Sequence, residues 1–79
     1  MDITTIQEKL DNYDWSMMSN ILPENDSDNR SFMNIADKLS DDIYHLIAET
    51  IHQKVFKGIH ATESDYIVAV GYVYNNLNK

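Results

Sequence analysis

Apolar residues recur at intervals of three and four through the first part of the chain. They are Ile3, Ile6, Leu10, Tyr13, Met17 and Ile21. This spacing places side chains on one face of a helix, for which Asp2 and Thr4 are both suitable caps. The pattern leaves open whether one helix continues to Leu22 or a break near residues 12–14 divides it. Pro23 ends the segment, because proline disfavours the helical conformation at the preceding residue.

A polar stretch follows at residues 23–31. It has no apolar side chain, and its Asn, Asp and Ser residues compete with backbone hydrogen bonds. We therefore predict a loop over 23–31.

The helical period returns after this loop. The apolar series consists of Phe32, Ile35, Ala36, Leu39, Ile43, Leu46, Ile47, Thr50, Ile51 and Val55. Ser40 precedes two aspartates, the order expected of a cap followed by acids at the positive end of a helix dipole. We expect a short helix over 32–39 and a longer one over 41–57, which ends at Gly58.

The last apolar run, residues 66–74, fits either a buried helix or a strand, because β-branched residues favour strands. Thr62 and Asp65 have the spacing of a capping box, and apolar positions continue to Leu77, so helix is favoured. Two glycines and one proline also supply few turns for a strand-rich fold. The predicted fold is all-α, a compact bundle of three to five short helices in a single domain over 1–79, with 66–74 as a possible strand.

Small size makes the core marginal. A chain of 79 residues buries only about 60% of its unfolded surface, and without cysteines no disulfide or thiolate–metal site stabilises it. Self-association would add stability. Tyr66, Tyr72 and Tyr74 spread around the last helix, so they serve either the core or a homo-oligomeric interface.

The charge balance is acidic, with 13 acidic and 6 basic residues and a net charge of −7. The scattered basic residues disfavour binding to nucleic acid or to an anionic membrane, whereas the net charge favours a basic protein partner. The polar, acidic start does not resemble a signal peptide, and no apolar run approaches the ~18 residues of a membrane span. We expect a cytoplasmic protein, in the host cell if a phage encodes it.

No catalytic motif is evident. None of the serines has Gly-x-Ser-x-Gly surroundings, and two glycines cannot form a phosphate-binding loop. A helical chain of this length also has little room for a pocket of ~300 Å³ or more. We therefore expect no enzymatic activity and no cofactor.

Asp42, His45, Glu49 and His52 form one stripe on the predicted third helix. Glu49 and His52 have the Glu-x-x-His spacing of di-iron bundles, but that architecture needs a second such pair. The stripe also lies opposite the apolar face, where side chains are normally solvated. The alternative to a solvated face is a helical homo-oligomer that binds a small ligand or metal between subunits through His45, Glu49 and His52.

The acidic residues around the predicted loop suggest a contact surface. Carboxylates so arranged can imitate phosphates and occupy a basic groove, with complementary charge speeding the encounter. Our leading hypothesis is a non-enzymatic protein–protein interaction module, an acidic regulator or inhibitor that acts as a DNA mimic. Its size and charge fit the small acidic inhibitors that phages and other mobile elements encode. The predicted contact residues are Trp15, Met18, Glu24, Asp26, Asp28, Asp37, Asp41 and Asp42.

Overall fold

The computed structural model describes residues 2–15, 26–57 and 60–78, and for residues 26–28 it describes the backbone alone. Four α-helices account for most of these residues, and none of the described residues is in a strand. The elements in order are α1 (Ile3–Asp11), α2 (Asp26–Asp37), α3 (Asp41–Ile51) with a π-helical turn (His52–Phe56), and α4 (Glu63–Leu77). The all-α prediction is confirmed, and residues 66–74 are helical.

Helix α1 has nine residues, with Asp2 as its N-cap and Asn12 as its C-cap. The Thr5 N–H donates to Asp2 Oδ1 at 2.8 Å, so Asp2 is the cap. The helix ends at Asp11, which confirms the break near residues 12–14. The alternative of one helix to Leu22 is thereby excluded, while Pro23 lies outside the described residues.

Helix α2 begins earlier than the sequence pattern predicted. The predicted loop over 23–31 was wrong for residues 26–31, which belong to this helix. Ser and Asp compete with helical hydrogen bonds, but they are also the residues favoured where a helix starts. The prediction of a loop considered only the competition with helical hydrogen bonds and not the preference for helix starts. Residues 23–25 lie outside the described part of the chain.

Helix α3 and its π-helical turn together correspond to the helix predicted over 41–57. The periodicity of an α-helix aligns residues three and four apart, whereas a π-helical turn joins residues five apart. Ile51 and Phe56 are five apart, and both are buried. The wider turn therefore keeps both side chains in the core.

Helix α4 is the central element and contacts the other three helices. Thr62 and Asp65 form the predicted capping box. The apolar core draws on every helix through Ile6, Leu10, Ala36, Ile47, Ile51, Phe56, Ala69, Val70, Val73 and Leu77. The N-terminal turn of α4 lies close to the end of α2 and the start of α3, where the candidate site lies.

Candidate functional site

An open cleft of about 240 Å³ lies where the end of α2 meets the starts of α3 and α4. The residues that line it are Ala36, Asp37, Leu39, Asp41, Tyr44, Glu63 and Ile67. Three are carboxylic acids, and none is basic. We refer to this feature as the acidic cleft.

The short turn between α2 and α3 positions one side of the acidic cleft. The Leu39 N–H donates to Ala36 O at 3.1 Å, which closes the last turn of α2. The Tyr44 N–H donates to Ser40 O at 2.9 Å as α3 begins. Asp37 therefore ends one helix and Asp41 starts the next, with only three residues between the two carboxylates.

The capping box of α4 positions the opposite side. The Thr62 N–H donates to Asp65 Oδ2 at 3.0 Å, and the Asp65 N–H donates to Thr62 Oγ1 at 3.2 Å. These two bonds fix the first turn of α4, which contains Glu63. Glu63 thus lines the acidic cleft together with residues of the α2–α3 turn.

The acidic cleft has an apolar floor and a charged rim. Ala36 is buried, and Leu39 and Ile67 are half-buried. The carboxylates of Asp37, Asp41 and Glu63 are exposed. Together they outweigh the roughly half positive charge at the N-terminus of α3 and of α4, so the acidic cleft has a negative net charge.

Tyr44 lies half-buried in the acidic cleft. Burial raises the pKa of its hydroxyl, and the charges of Glu63 and Asp37 raise it further. The neutral hydroxyl is therefore maintained to higher pH than in free tyrosine. It adds a further hydrogen-bonding group to a site whose other polar groups are carboxylates.

This arrangement suits a cation attached to an apolar stem. Exposed carboxylates accept hydrogen bonds from a cationic donor, and the floor covers methylene groups. Lys38 is next to Asp37 in the sequence, but it is exposed and does not line the acidic cleft. The described part of the chain therefore leaves the cleft open to a cation from another molecule.

Among the predicted contact residues whose side chains the structure describes, two line the acidic cleft. Asp37 and Asp41 line the acidic cleft, and Asp42 is exposed beside them on α3 without lining it. Asp26 and Asp28 begin α2, but their side chains lie outside the described part.

Trp15 does not line the acidic cleft. Met18, like Glu24, lies outside the described residues. Trp15 is half-buried, and its indole N–H donates to Leu10 O at 3.2 Å. Its ring also packs edge-on against Tyr13 at 4.8 Å between centroids. These contacts give Trp15 a packing role at the end of α1.

Sequence reasoning missed two polar members of the site, Tyr44 and Glu63. Glu63 lies between the predicted capping residues Thr62 and Asp65, and neither Glu63 nor Tyr44 was assigned a role. Both residues lie with Asp37 and Asp41 in the acidic cleft because α2, α3 and α4 pack together there. A local sequence pattern does not encode this packing. One signal in the sequence could have found Glu63: an acidic residue lies in the first turn of both α3 and α4.

The stripe on α3 is a solvated face, as its position opposite the apolar residues predicts. Asp42, His45, Glu49 and His52 are all exposed. The His52 Nδ1 atom lies 2.7 Å from the Tyr66 hydroxyl, a hydrogen bond whose direction depends on the tautomer. No group of three potential metal-ligating side chains occurs among the described residues.

The three tyrosines proposed for self-association pack within the chain. Tyr66 contacts Phe56 edge-on at 5.1 Å, and Tyr72 contacts Phe32 in the same way at 5.3 Å. Both tyrosines, together with Tyr74, are half-buried. In the described part of the chain, the large hydrophobic residue that is exposed is Ile3, at 41%. A homo-oligomer through these tyrosines stays a prediction.

Within the described residues, no helix combines the length and the apolar character needed to cross a bilayer. Comparisons with protein-family models, with curated proteins and with solved structures yield no match for this chain.

Proposed function

We propose that the protein is a non-enzymatic interaction module that binds a basic surface of another protein and regulates or inhibits it. The observation that carries this proposal is the acidic cleft, in which three carboxylates from three helices surround an apolar floor. The net charge of −7 supports it, because an acidic field attracts a basic partner over a distance.

The partner surface we favour is one that handles nucleic acid. Such surfaces present clustered Lys and Arg to phosphates, and carboxylates at fixed positions can take the place of those phosphates. Occupation of the groove would exclude nucleic acid and so inhibit the partner. The proposal assigns this action to the cytoplasm, since the chain has no cysteines.

Capture from a lysate of the native host tests the proposal. The immobilised protein is loaded at low salt and eluted in rising salt, and mass spectrometry identifies each fraction. The comparison is a cleft variant, Asp37→Asn with Asp41→Asn and Glu63→Gln. Each substitution keeps the approximate size of the side chain and removes one negative charge.

A second variant controls for net charge. This remote variant carries Glu8→Gln, Asp11→Asn and Glu49→Gln, all at exposed positions that do not line the acidic cleft. It loses the same total charge as the cleft variant. Circular dichroism verifies that both variants retain the helical fold.

We expect one basic protein to elute from the wild type at moderate salt, because screening weakens exposed charge pairs. The remote variant should retain that protein, and the cleft variant should lose most of it. Equal retention by both variants would contradict a role for the acidic cleft. Recovery of the protein itself and nothing basic would contradict the proposed function.

A further inference from the structure

We infer that the acidic cleft is a socket for a single arginine side chain of the partner. This inference rests on the proposed function and deepens it, since it names the group that the partner inserts. It follows from the size of the cleft, its apolar floor and its distribution of charge.

The size of the acidic cleft suits one side chain. Its volume of about 240 Å³ equals that of roughly eight water molecules at ~30 Å³ each. Pockets for whole small-molecule ligands usually start near ~300 Å³. The site is also open to solvent, so a side chain can enter it while its backbone stays outside.

The apolar and the acidic residues of the acidic cleft match the methylene stem and the guanidinium group of an arginine. Ala36, Leu39 and Ile67 provide apolar surface for the methylene stem. Asp37, Asp41 and Glu63, one from each of three helices, provide acceptors for the charged group. An uncharged apolar side chain would leave these carboxylates without a partner and would displace their water.

Arginine fits this rim better than lysine does. The guanidinium group presents five N–H donors in one plane and is more weakly hydrated than an ammonium group. Three carboxylates and a hydroxyl can therefore share its donors. Tyr44 is also a lining residue, and a guanidinium stacks on aromatic rings more readily than an ammonium does.

An NMR titration of the ¹⁵N-labelled full chain tests the socket without knowledge of the partner. The probes are N-acetyl-arginine amide, N-acetyl-lysine amide and N-acetyl-citrulline amide. Citrulline has nearly the shape of arginine but no charge. We expect saturable shifts from arginine, concentrated at residues 36–44 and 63–67.

We expect the three probes to differ in affinity in a defined order. Arginine should bind about two- to fivefold more tightly than lysine, the size of one exposed cation–π contact. Citrulline should give no saturable shifts. Binding of citrulline as tight as that of arginine, or lysine equal to arginine, would overturn the inference, as would shifts spread over all exposed carboxylates.

Variants locate the binding. The cleft variant should lose the saturable shifts, and the remote variant should keep them, while well-dispersed spectra verify that both are folded. Tyr44→Leu keeps apolar volume but removes the ring, so arginine should lose its advantage over lysine. Retention of arginine binding by a folded cleft variant would overturn the socket.

The two proposals fail in different ways. If arginine binds in the cleft but the lysate contains no basic partner, the proposed function fails, and the cleft is an arginine site without the proposed partner. If a basic partner is captured through the cleft but free arginine shows no preference over citrulline, the proposed function stands and the socket fails.

Discussion

Gly71 shows how one residue determines the distance between two helices. A Cβ atom added at this position would lie 1.8 Å from the carbonyl oxygen of Phe32, which belongs to the backbone of α2. The α4 backbone therefore lies directly against α2, and only glycine permits this approach. Leu39 in the turn after α2 and Ile67 on α4 both contribute to the floor of the acidic cleft.

We predict that Gly71→Ala destabilises the protein by about 1–3 kcal/mol, the usual cost of overpacking. Helix propensity alone predicts the opposite, a gain of about 1 kcal/mol. Urea unfolding followed by circular dichroism measures the difference in the free energy of unfolding. Ser64→Ala, at an exposed position of the same helix, is the control. A more stable Gly71→Ala variant would contradict the close approach of α2 and α4.

Asp2 gives a pH dependence at the residue scale. The hydrogen bond from the Thr5 backbone N–H lowers the pKa of Asp2 below its ordinary value of 3.8. A carboxyl whose pKa is lower in the folded state stabilises it above the unfolded pKa, and this contribution is lost as pH falls through the folded pKa.

We therefore predict that Asp2→Ala lowers the melting temperature at neutral pH and that the difference narrows well below pH 3.8. Thermal melts of both proteins over this range provide the measurement. A difference that stays constant across the range would show that Asp2 acts through something other than its ionised cap.

At the scale of the elements, the ends of the helices were only partly predictable. The capping box of α4 has a local signature, so its position was predicted correctly. The start of α2 was not, because Asp26 and its neighbours fit a loop and a helix start equally well. The π-helical turn was also missed, since its reason is the burial of Phe56 against other helices.

The caps of α3 and α4 offer a matched pair. Thr62 and Ser40 both occupy the N-cap position in extended backbone, but only the Thr62 side chain accepts a capping hydrogen bond. We predict that Thr62→Ala costs about 1 kcal/mol and that Ser40→Ala costs well under half of that. Chemical denaturation of the two variants tests this. Equal losses would contradict the capping geometry.

At the scale of the whole molecule, the sequence identified part of the site. The acidic composition predicts a basic partner, which stays a prediction, and two of the predicted contact residues, Asp37 and Asp41, line the acidic cleft. The third acid, Glu63, joins them because the first turn of α4 lies beside the end of α2 and the start of α3. Trp15 was assigned to the contact surface on residue type; it packs against α1 and Tyr13, and its role in a contact surface stays a prediction.

The most direct test of the account is the affinity of the captured partner for three purified proteins, measured by titration calorimetry at low and high salt. We predict that the cleft variant binds at least about tenfold more weakly than the wild type, equivalent to ~1.4 kcal/mol. The remote variant should stay within about threefold, and wild-type binding should weaken as salt screens the charges. Equal weakening by both variants, or an affinity that salt does not change, would contradict the claim that the acidic cleft binds a basic surface.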